Sequence, residues 1–259
     1  MRGEARSRDG IPLRFEARGS GAPALVFVHG WSCDRSYWDG QLDWFSARHQ
    51  VVAMDLAGHG ESGAGRQAWT MAAFGDDVVA VVQALGLGEV VLIGHSMGGD
   101  IVVEAALRLP DQVVGLVWAD VYTRLDEPQP REEVERFLTP LREDFGTAAR
   151  QLVRRMFPPG ADAELVDRVA DGISASPPEI AIEVADHAIS NDRHIRARLG
   201  QLTVPVVAIN SGRLPTDTES LGRYGVSAVT MPEAGHFPMM EDPDTFNRLL
   251  AEAIEGFKG

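Results

Sequence analysis

Short apolar runs recur along the chain, and between them lie longer segments in which apolar residues return every three or four positions. The runs are continuous rather than alternating, as expected for parallel strands that are buried on both faces. They are Ala24–His29, Val51–Asp55, Val91–His95, Val113–Asp120, Val204–Asn210 and Val226–Pro232. The segments with helical spacing are Asp34–Arg48, Thr70–Leu85, Met97–Leu109 and Asp242–Phe257. This alternation predicts an α/β fold with a mainly parallel sheet and helices on both of its faces.

The first residues depart from this alternation. Asp9-Gly10 separates Glu4–Arg8 from the alternating segment Ile11–Arg18. Asp-Gly is a strong signal for a two-residue turn between antiparallel strands. We therefore expect a β-hairpin ahead of the parallel strands.

A long insertion is predicted after the strand that ends at Asp120. Residues 121–201 contain helical patterns but no strand-like run. A helical insertion between two strands of the sheet has to lie over the sheet edge, so we expect these residues to form a cap, or lid. The core of the fold is then formed by residues 1–120 and 202–259.

Two helix starts are predicted inside this cap. Ser176-Pro177-Pro178-Glu179 combines a serine N-cap, a proline at the first helical position and an acidic residue three positions after the cap. Thr139-Pro140 shows the same order of cap and proline, so we expect a second helix to begin there.

Composition and charge exclude several classes of protein. The 259 residues carry 24 Lys and Arg against 38 Asp and Glu, a net charge of −14. A nucleic-acid backbone would be repelled, so we expect no nucleic-acid partner. The single cysteine, Cys33, excludes an intrachain disulfide and a cysteine-based zinc site. No apolar run has the length of a signal peptide or a membrane span, so we expect a cytoplasmic protein without membrane contact.

The segment Gly94–Gly98 matches the pattern G-x-S-x-G. It follows a buried strand and precedes an apolar-periodic helix, which predicts that Ser96 lies on a sharp strand-to-helix turn. The backbone N–H of Met97 then points to the same side as the Ser96 hydroxyl, at the positive end of the helix dipole. Ser96 is therefore the predicted nucleophile. Asp100 and Glu104 share one face of the same helix and are expected to form a solvated or dipole-related pair rather than a catalytic one.

A serine hydroxyl needs a base that takes its proton, and His236 is the best placed of the 7 histidines. It follows the last strand-like run and precedes the last helix, where a loop can reach the sheet edge that carries Ser96. His29 and His95 are expected to pack within tight turns. No histidine pair has a spacing typical of metal ligands, so we expect neither a metal nor a cofactor.

Taken together, these motifs resemble the α/β-hydrolase fold family over nearly the whole chain. His29-Gly30-Trp31 resembles the family's oxyanion turn, Asp55–Ser62 its D-x-x-G-x-G-x-S loop, Gly94–Gly99 its nucleophile elbow and Gly235-His236-Phe237 its histidine loop. The resemblance implies an α/β-hydrolase fold with an inserted helical lid and a Ser-His-Asp triad. The oxyanion hole would be the backbone N–H groups of Trp31 and Met97.

The carboxylate that orients His236 is open between two residues. In most of the family it follows the strand that corresponds here to Val204–Asn210, but the residues after this strand lack a carboxylate until Asp217. Some members, including a branch of the haloalkane dehalogenases, keep their acid at the end of the strand that ends here at Asp120. We therefore expect Asp120 to be the triad acid, with Asp217 as the alternative.

The expected activity is the hydrolysis of a carboxylic ester or lactone of a small, largely apolar compound through an acyl-enzyme on Ser96. A carbon–carbon bond hydrolase and a cofactor-free perhydrolase on the same triad are alternatives. An alternative of a different class is a ligand receptor with this fold and little turnover. The expected partner is a small-molecule substrate, and the sequence leaves the oligomeric state open.

Overall fold

One sheet organises the structure, a computed structural model that describes residues 1–126 and 130–257. Its strands are β1 (Arg2–Arg6), β2 (Pro12–Arg18), β3 (Ala24–Val28), β4 (Val51–Met54), β5 (Val90–His95), β6 (Val113–Ala119), β7 (Val206–Ser211) and β8 (Val226–Met231). Among the described residues they follow the order β1-β2-β4-β3-β5-β6-β7-β8. β2 pairs antiparallel with both β1 and β4, and the other neighbours pair parallel. The predicted, mainly parallel sheet is confirmed.

β1 and β2 form the predicted hairpin, with a longer turn than two residues. The loop runs from Ser7 to Ile11, and the Gly10 N–H donates to the Ser7 carbonyl across 2.9 Å. Gly10 takes a positive φ of 84°, which glycine adopts without steric strain. The Ser7 hydroxyl accepts a further hydrogen bond from the Ile11 N–H, so the side chain of Ser7 extends the turn.

The apolar runs give buried strands in the centre of the sheet and a half-exposed strand at its edge. Every residue of β3, β4 and β5 is buried. In β8 only the first and last residues are buried, and Val229 is 39% exposed. β8 has a neighbour on one side only, β7, so a continuous apolar run does not by itself place a strand in the centre.

The helices are α1 (Asp39–Phe45), α2 (Met71–Ala84), α3 (Met97–Ala106), α4 (Arg131–Glu143), α5 (Phe145–Arg154), α6 (Ala163–Ser174), α7 (Pro178–Leu199), α8 (Thr218–Gly222), α9 (Pro238–Glu241) and α10 (Pro243–Gly256). A 3₁₀ turn, Arg35–Trp38, precedes α1. Two helices begin where the sequence predicts. Thr70 caps α2 by accepting from the Ala73 N–H, and Asp242 caps α10 by accepting from the Thr245 N–H.

Helices cover both faces of the sheet, as predicted. Successive residues of a strand point to opposite faces, so Val26 and Phe27 of β3 belong to different cores. Val26 packs in one cluster with Phe74 of α2. Phe27 packs in the other cluster with Phe246 of α10. The α/β fold class predicted from the sequence is therefore confirmed.

The described residues between β6 and β7 form four helices, joined by loops, and no strand. They contain α4, α5, α6 and α7, and α7 packs against α3 of the core. Residues 127–129 of the predicted cap and 258–259 of the predicted core lie outside the described residues. The division into a core and a cap at residues 121 and 201 stays a prediction.

One of the two helix starts predicted inside this insertion is confirmed, and the other is wrong. α7 begins at Pro178, within the predicted segment Ser176-Pro177-Pro178-Glu179. Its N-cap residue is Pro177 rather than Ser176, because a residue that precedes proline is driven to extended backbone. Thr139-Pro140 lies inside α4, whose buried apolar residues Val134, Leu138 and Leu141 continue across the proline. The apolar periodicity of α4 therefore outweighs the local cap signal at Thr139.

Candidate active site

The turn between β5 and α3 consists of Ser96 alone, because β5 ends at His95 and α3 begins at Met97. Its backbone has φ 50° and ψ −120°, a conformation that is strained for a residue with a Cβ. A Cβ on Gly94 would overlap the carbonyl of Gly98. A Cβ on Gly98 would lie 2.5 Å from the carbonyl oxygen of Val28 in β3. The flanking glycines thus let strand, helix and β3 meet closely enough to form the predicted turn.

The turn His29-Gly30-Trp31 lies against this elbow. A Cβ on Gly30 would be 3.2 Å from the Cβ of Ser96, so the backbone ahead of Trp31 touches the proposed nucleophile. The Leu56 N–H donates to Nε2 of His29, which leaves the ring proton on Nδ1, and Nδ1 donates to the Gly30 carbonyl across 2.8 Å. Burial lowers the pKa of His29 to about 4. A neutral histidine therefore holds the turn in place.

His236 and Asp120 lie in direct contact. Nδ1 of His236 donates to Oδ2 of Asp120 across 2.6 Å, and the Ser211 N–H donates to Oδ1 of the same carboxylate across 2.8 Å. Asp120 is only 8% exposed. Burial by itself raises the pKa of Asp120, but the hydrogen bond and charge of His236 and the bond from Ser211 outweigh burial and lower the pKa to about 2. The carboxylate is therefore ionised at neutral pH and orients the imidazole.

Comparison with known families agrees with this geometry. The sequence profile of the alpha/beta hydrolase family matches residues 25–249. The chain belongs to the α/β-hydrolase family. The family resemblance inferred from the motifs of this α/β hydrolase is thereby confirmed.

Named relatives of this α/β hydrolase have several activities. The chain is 26% identical to a dihydrolipoyllysine-residue acetyltransferase component of an acetoin cleaving system from Cupriavidus necator, over 96% of this chain and 68% of that protein. It is 24% identical to 3-oxoadipate enol-lactonase 2 from Acinetobacter baylyi, over 91% of this chain and 90% of that one. A thermophilic esterase from Thermogutta terrifontis, solved with malate bound, is 26% identical with a TM-score of 0.83 over 99% of both chains. The esterase and the lactonase agree with the expected hydrolysis of esters or lactones.

Glu241 and the elbow residue His95 hold the histidine loop of this hydrolase. The Gly235 N–H donates to Oε2 of Glu241, and the Phe237 N–H donates to Oε1, each across 2.9 Å. Nε2 of His95 donates to the carbonyl of His236 across 2.7 Å. One carboxylate thus bridges the residues on either side of His236, while the elbow residue His95 fixes the His236 backbone. The only sequence signals were the motif positions of Glu241 and His95.

The alternative acid, Asp217, lies at a different place in the loop after β7. Its side chain accepts from the Ser220 N–H across 2.9 Å and caps α8, and its own N–H donates to the Thr123 carbonyl. Asp217 is exposed, whereas Asp120 is buried against His236. The structure therefore brings Asp120, and not Asp217, to the imidazole.

A cavity of about 590 Å³ opens beside His236 and Asp120. Its walls come from the segment after β6, the loop after β7, and helices α4 and α7, which supply Ile189, Leu214, Glu133 and Arg213 among others. The cavity is therefore large enough for a small organic molecule and carries both apolar and charged walls.

The side chain of Trp31 connects the turn His29-Gly30-Trp31 to the helices over the sheet. Its indole Nε1–H donates to the Ala181 carbonyl of α7 across 2.7 Å. Its ring meets Phe137 of α4 and Phe145 of α5 edge-on, at centroid distances of 6.3 and 6.1 Å. The side chain of Trp31 thus couples the position of the turn to the packing of three helices.

Asp100 and Glu104 are buried, so the solvated form of the expected pair is wrong, although Asp100 does lie in the first turn of α3. Asp100 accepts from the Tyr122 hydroxyl across 2.9 Å and from Asn191 of α7 across 2.8 Å. Glu104 pairs with Arg108, two residues past the end of α3, and with Arg198 of α7. Their shared helix face is covered by α7, which the i, i+4 spacing alone does not reveal.

No group of three or more His, Cys, Asp or Glu side chains among the described residues is arranged to hold a metal ion. Within the same residues, no helix combines the length and the apolarity needed to cross a membrane.

Proposed function

We propose that this α/β hydrolase cleaves a carboxylic ester or lactone of a small molecule through an acyl-enzyme on Ser96. The observation that carries the proposal is the 2.6 Å hydrogen bond from His236 to the buried, ionised Asp120. The ring of His236 lies 4.9 Å from the ring of His95, which directly precedes Ser96. The proposed base is therefore oriented by a carboxylate and lies at the elbow that presents the proposed nucleophile.

The proposed reaction uses each of these groups in turn. The Ser96 hydroxyl attacks the carbonyl carbon while Nε2 of His236 takes its proton, and Asp120 stabilises the imidazolium that forms. The backbone N–H groups of Trp31 and Met97 stabilise the oxyanion of the tetrahedral intermediate. Collapse of this intermediate expels the alcohol, which receives its proton from His236. Water then repeats the sequence on the acyl-enzyme and releases the acid.

Relatives and cavity size support the proposed substrate class. An esterase and an enol-lactonase are among the named relatives, and both act on bonds between an acyl carbon and oxygen. A cavity of about 590 Å³ suits a small molecule. Its charged walls, formed in part by Glu133 and Arg213, extend the proposal beyond the largely apolar compound expected from the sequence.

Covalent labelling with a fluorophosphonate tests the proposal together with hydrolysis of p-nitrophenyl acetate. We expect a single adduct on Ser96, and a Ser96→Ala protein that is folded, unlabelled and slower by several orders of magnitude. Ser227→Ala, at an exposed position of β8, is the matched control and should behave as wild type. Turnover of the ester by Ser96→Ala at the wild-type rate would contradict the proposal. A burst of one acyl group per chain without turnover would instead favour the ligand receptor.

A further inference from the structure

Arg213 lines the same cavity as His236 and Asp120. It lies two residues after Ser211, whose N–H donates to the Asp120 carboxylate, and its own N–H donates to the Ser211 hydroxyl across 3.4 Å. The backbone of Arg213 is therefore connected to the proposed triad acid by hydrogen bonds through Ser211.

The backbone around Arg213 is also fastened to the histidine loop. The N–H of Gly212 donates to the Ala234 carbonyl across 3.2 Å, two residues ahead of His236. A Cβ on Gly212 would overlap the carbonyl of Pro232, so these two loops touch at their backbones. The backbone that carries the Arg213 side chain therefore has a defined position relative to the loop of His236.

The guanidinium of Arg213 forms no ion pair or side-chain hydrogen bond with any of the described residues. Carboxylates are not scarce in this chain, which has 38 acidic against 24 basic side chains. Nearby Arg223, for comparison, pairs with Asp126. A guanidinium that offers five N–H donors in a planar fork is well suited to bind a carboxylate, and here that capacity is unused.

The cavity carries the opposite charge on its other wall. Glu133 comes from the first turn of α4 and is exposed, and it also lines an adjoining cleft between α4 and α5. A bound anion would be attracted to Arg213 and repelled by Glu133 and by the ionised Asp120, which lines the same cavity. The charges therefore favour an anionic group at Arg213 itself rather than against Asp120 or Glu133.

The chemistry of the proposed reaction indicates which part of the ester faces Arg213. The leaving oxygen takes its proton from His236, so the alcohol part of the ester lies toward the imidazole. His236 lines the cavity that contains Arg213, whereas Ser96, Trp31 and Met97 are not among its lining residues. The leaving alcohol, which lies next to His236, is therefore the part of a bound ester that can extend into this cavity.

We propose that the substrate is an ester whose alcohol part is a hydroxycarboxylate, and that the free carboxylate of this part binds Arg213. This inference rests on the proposed function. One water is consumed, the bond between the acyl carbon and the alcohol oxygen breaks, and the products are a carboxylic acid and the free hydroxycarboxylate.

Two matched acetate esters test the proposal, 4-acetoxybutanoate and the uncharged butyl acetate. The measured quantity is the ratio of their kcat/KM values, obtained from the release of acetate. We expect Arg213→Gln to lower this ratio about tenfold, the effect of losing one exposed charge-assisted hydrogen bond. Added salt should lower the ratio of the wild-type protein more than that of Arg213→Gln, because salt screens the attraction.

Two further variants serve as controls. Arg248→Gln removes the same charge from α10, where Arg248 is exposed and paired with Glu252, and should leave the ratio unchanged. Glu133→Gln removes the repelling charge and should raise the ratio. An equal ratio in Arg213→Gln and wild type, or an equal fall in Arg248→Gln, would overturn the proposal.

A binding measurement separates failure of this proposal from failure of the proposed function. The ether 4-propoxybutanoate cannot be hydrolysed, so calorimetry reports its binding whatever the reaction of the protein. We expect about tenfold weaker binding to Arg213→Gln than to wild type or Arg248→Gln. Loss of that difference overturns the role of Arg213. Its persistence in a protein without esterase activity would overturn only the acyl-enzyme on Ser96.

Discussion

The imidazole of His95 donates from Nε2 to the backbone carbonyl of His236 across 2.7 Å. His95 directly precedes Ser96, so this bond connects the elbow to the loop of the proposed base across 141 positions of sequence. The other ring nitrogen, Nδ1, is buried and has no hydrogen-bond partner among the described residues. The geometry makes His95 a positioning residue for His236.

Replacing His95 should therefore affect the alignment of His236. His95→Phe keeps an aromatic ring but removes the donor to the His236 carbonyl, at an estimated cost of about 1–3 kcal/mol in the free energy of unfolding. We expect kcat to fall more than KM changes, because the base moves while the cavity remains. Urea denaturation and steady-state kinetics measure the two effects.

A matched pair of variants separates this effect from a general loss of stability. His95→Gln retains an N–H donor and should recover part of kcat, whereas His187→Phe, at an exposed position of α7, should match wild type. A wild-type kcat in His95→Phe would show that the bond to His236 does not position the base.

Asparagine variants of the two candidate acids should differ strongly in activity. Asp120→Asn removes the negative charge that orients His236, and comparable triads then lose on the order of 10⁴-fold in kcat. Asp217→Asn should keep most of the activity and stability, because asparagine is as good an N-cap for α8 as aspartate. The measurement is kcat for the same ester with each variant. An inactive Asp217→Asn protein beside an active Asp120→Asn protein would reverse the assignment.

Glu241 should be needed for the shape of the histidine loop. A glutamine at this position has one acceptor oxygen and an amino group, so one of the N–H groups of Gly235 and Phe237 loses its partner. We expect Glu241→Gln to lose about 1–3 kcal/mol in the free energy of unfolding and to lower kcat. Glu252→Gln, at an exposed residue of α10, is the control for the change of charge. Equal stability and kcat in the two variants would contradict this role.

Acid should destabilise the fold through its buried histidines. Burial lowers the pKa of His29 to about 4 and of His59 to about 3, and burial together with the nearby His236 lowers that of His95 to about 3. The ordinary value is 6.5, so the unfolded chain binds these protons first as the pH falls. The free energy of unfolding should therefore fall from pH 6.5 downward, by up to about 1.4 kcal/mol per histidine and pH unit.

Urea denaturation between pH 7 and pH 4.5 measures this slope. His59→Gln removes one of the titrating groups and should make the slope shallower by up to about 1.4 kcal/mol per pH unit. The exposed His194 is the control, since His194→Gln should leave the slope unchanged. An unchanged slope in His59→Gln would mean that His59 is not held neutral by burial.

Asp120 should add a further loss of stability at lower pH. Its pKa is about 2 in the folded protein against an ordinary value of 3.8, so its stabilisation is present above about pH 4 and is lost as the pH falls toward 2. The difference corresponds to about 2 kcal/mol, and Asp120→Asn should lack this part of the acid transition. An identical transition below pH 4 in wild type and Asp120→Asn would contradict the lowered pKa.

Local features of the chain were predictable because they depend on neighbouring residues. Apolar runs and helical spacing located the strands and helices around the elbow, and the glycines beside Ser96 indicated a turn that only small residues permit. The segments predicted to be helical from Thr70 and from Asp242 also begin with these residues as N-caps. The segment from Ser176 to Glu179 predicted the start of α7, with the N-cap off by one residue. The signal at Thr139 failed, because the apolar face of α4 outweighed it.

The sequence by itself thus determined the fold family, the elbow of Ser96 and the loop of His236, which follow from local pattern and order along the chain. The tertiary structure decided which carboxylate contacts His236. Asp120 lies 116 positions away in sequence, and a local sequence pattern shows neither its distance from the imidazole nor its burial. The tertiary structure also decided that Asp100 and Glu104 are buried under α7. The same holds for Arg213, since only the folded chain shows that its guanidinium lines the cavity of His236 without a carboxylate partner among the described residues.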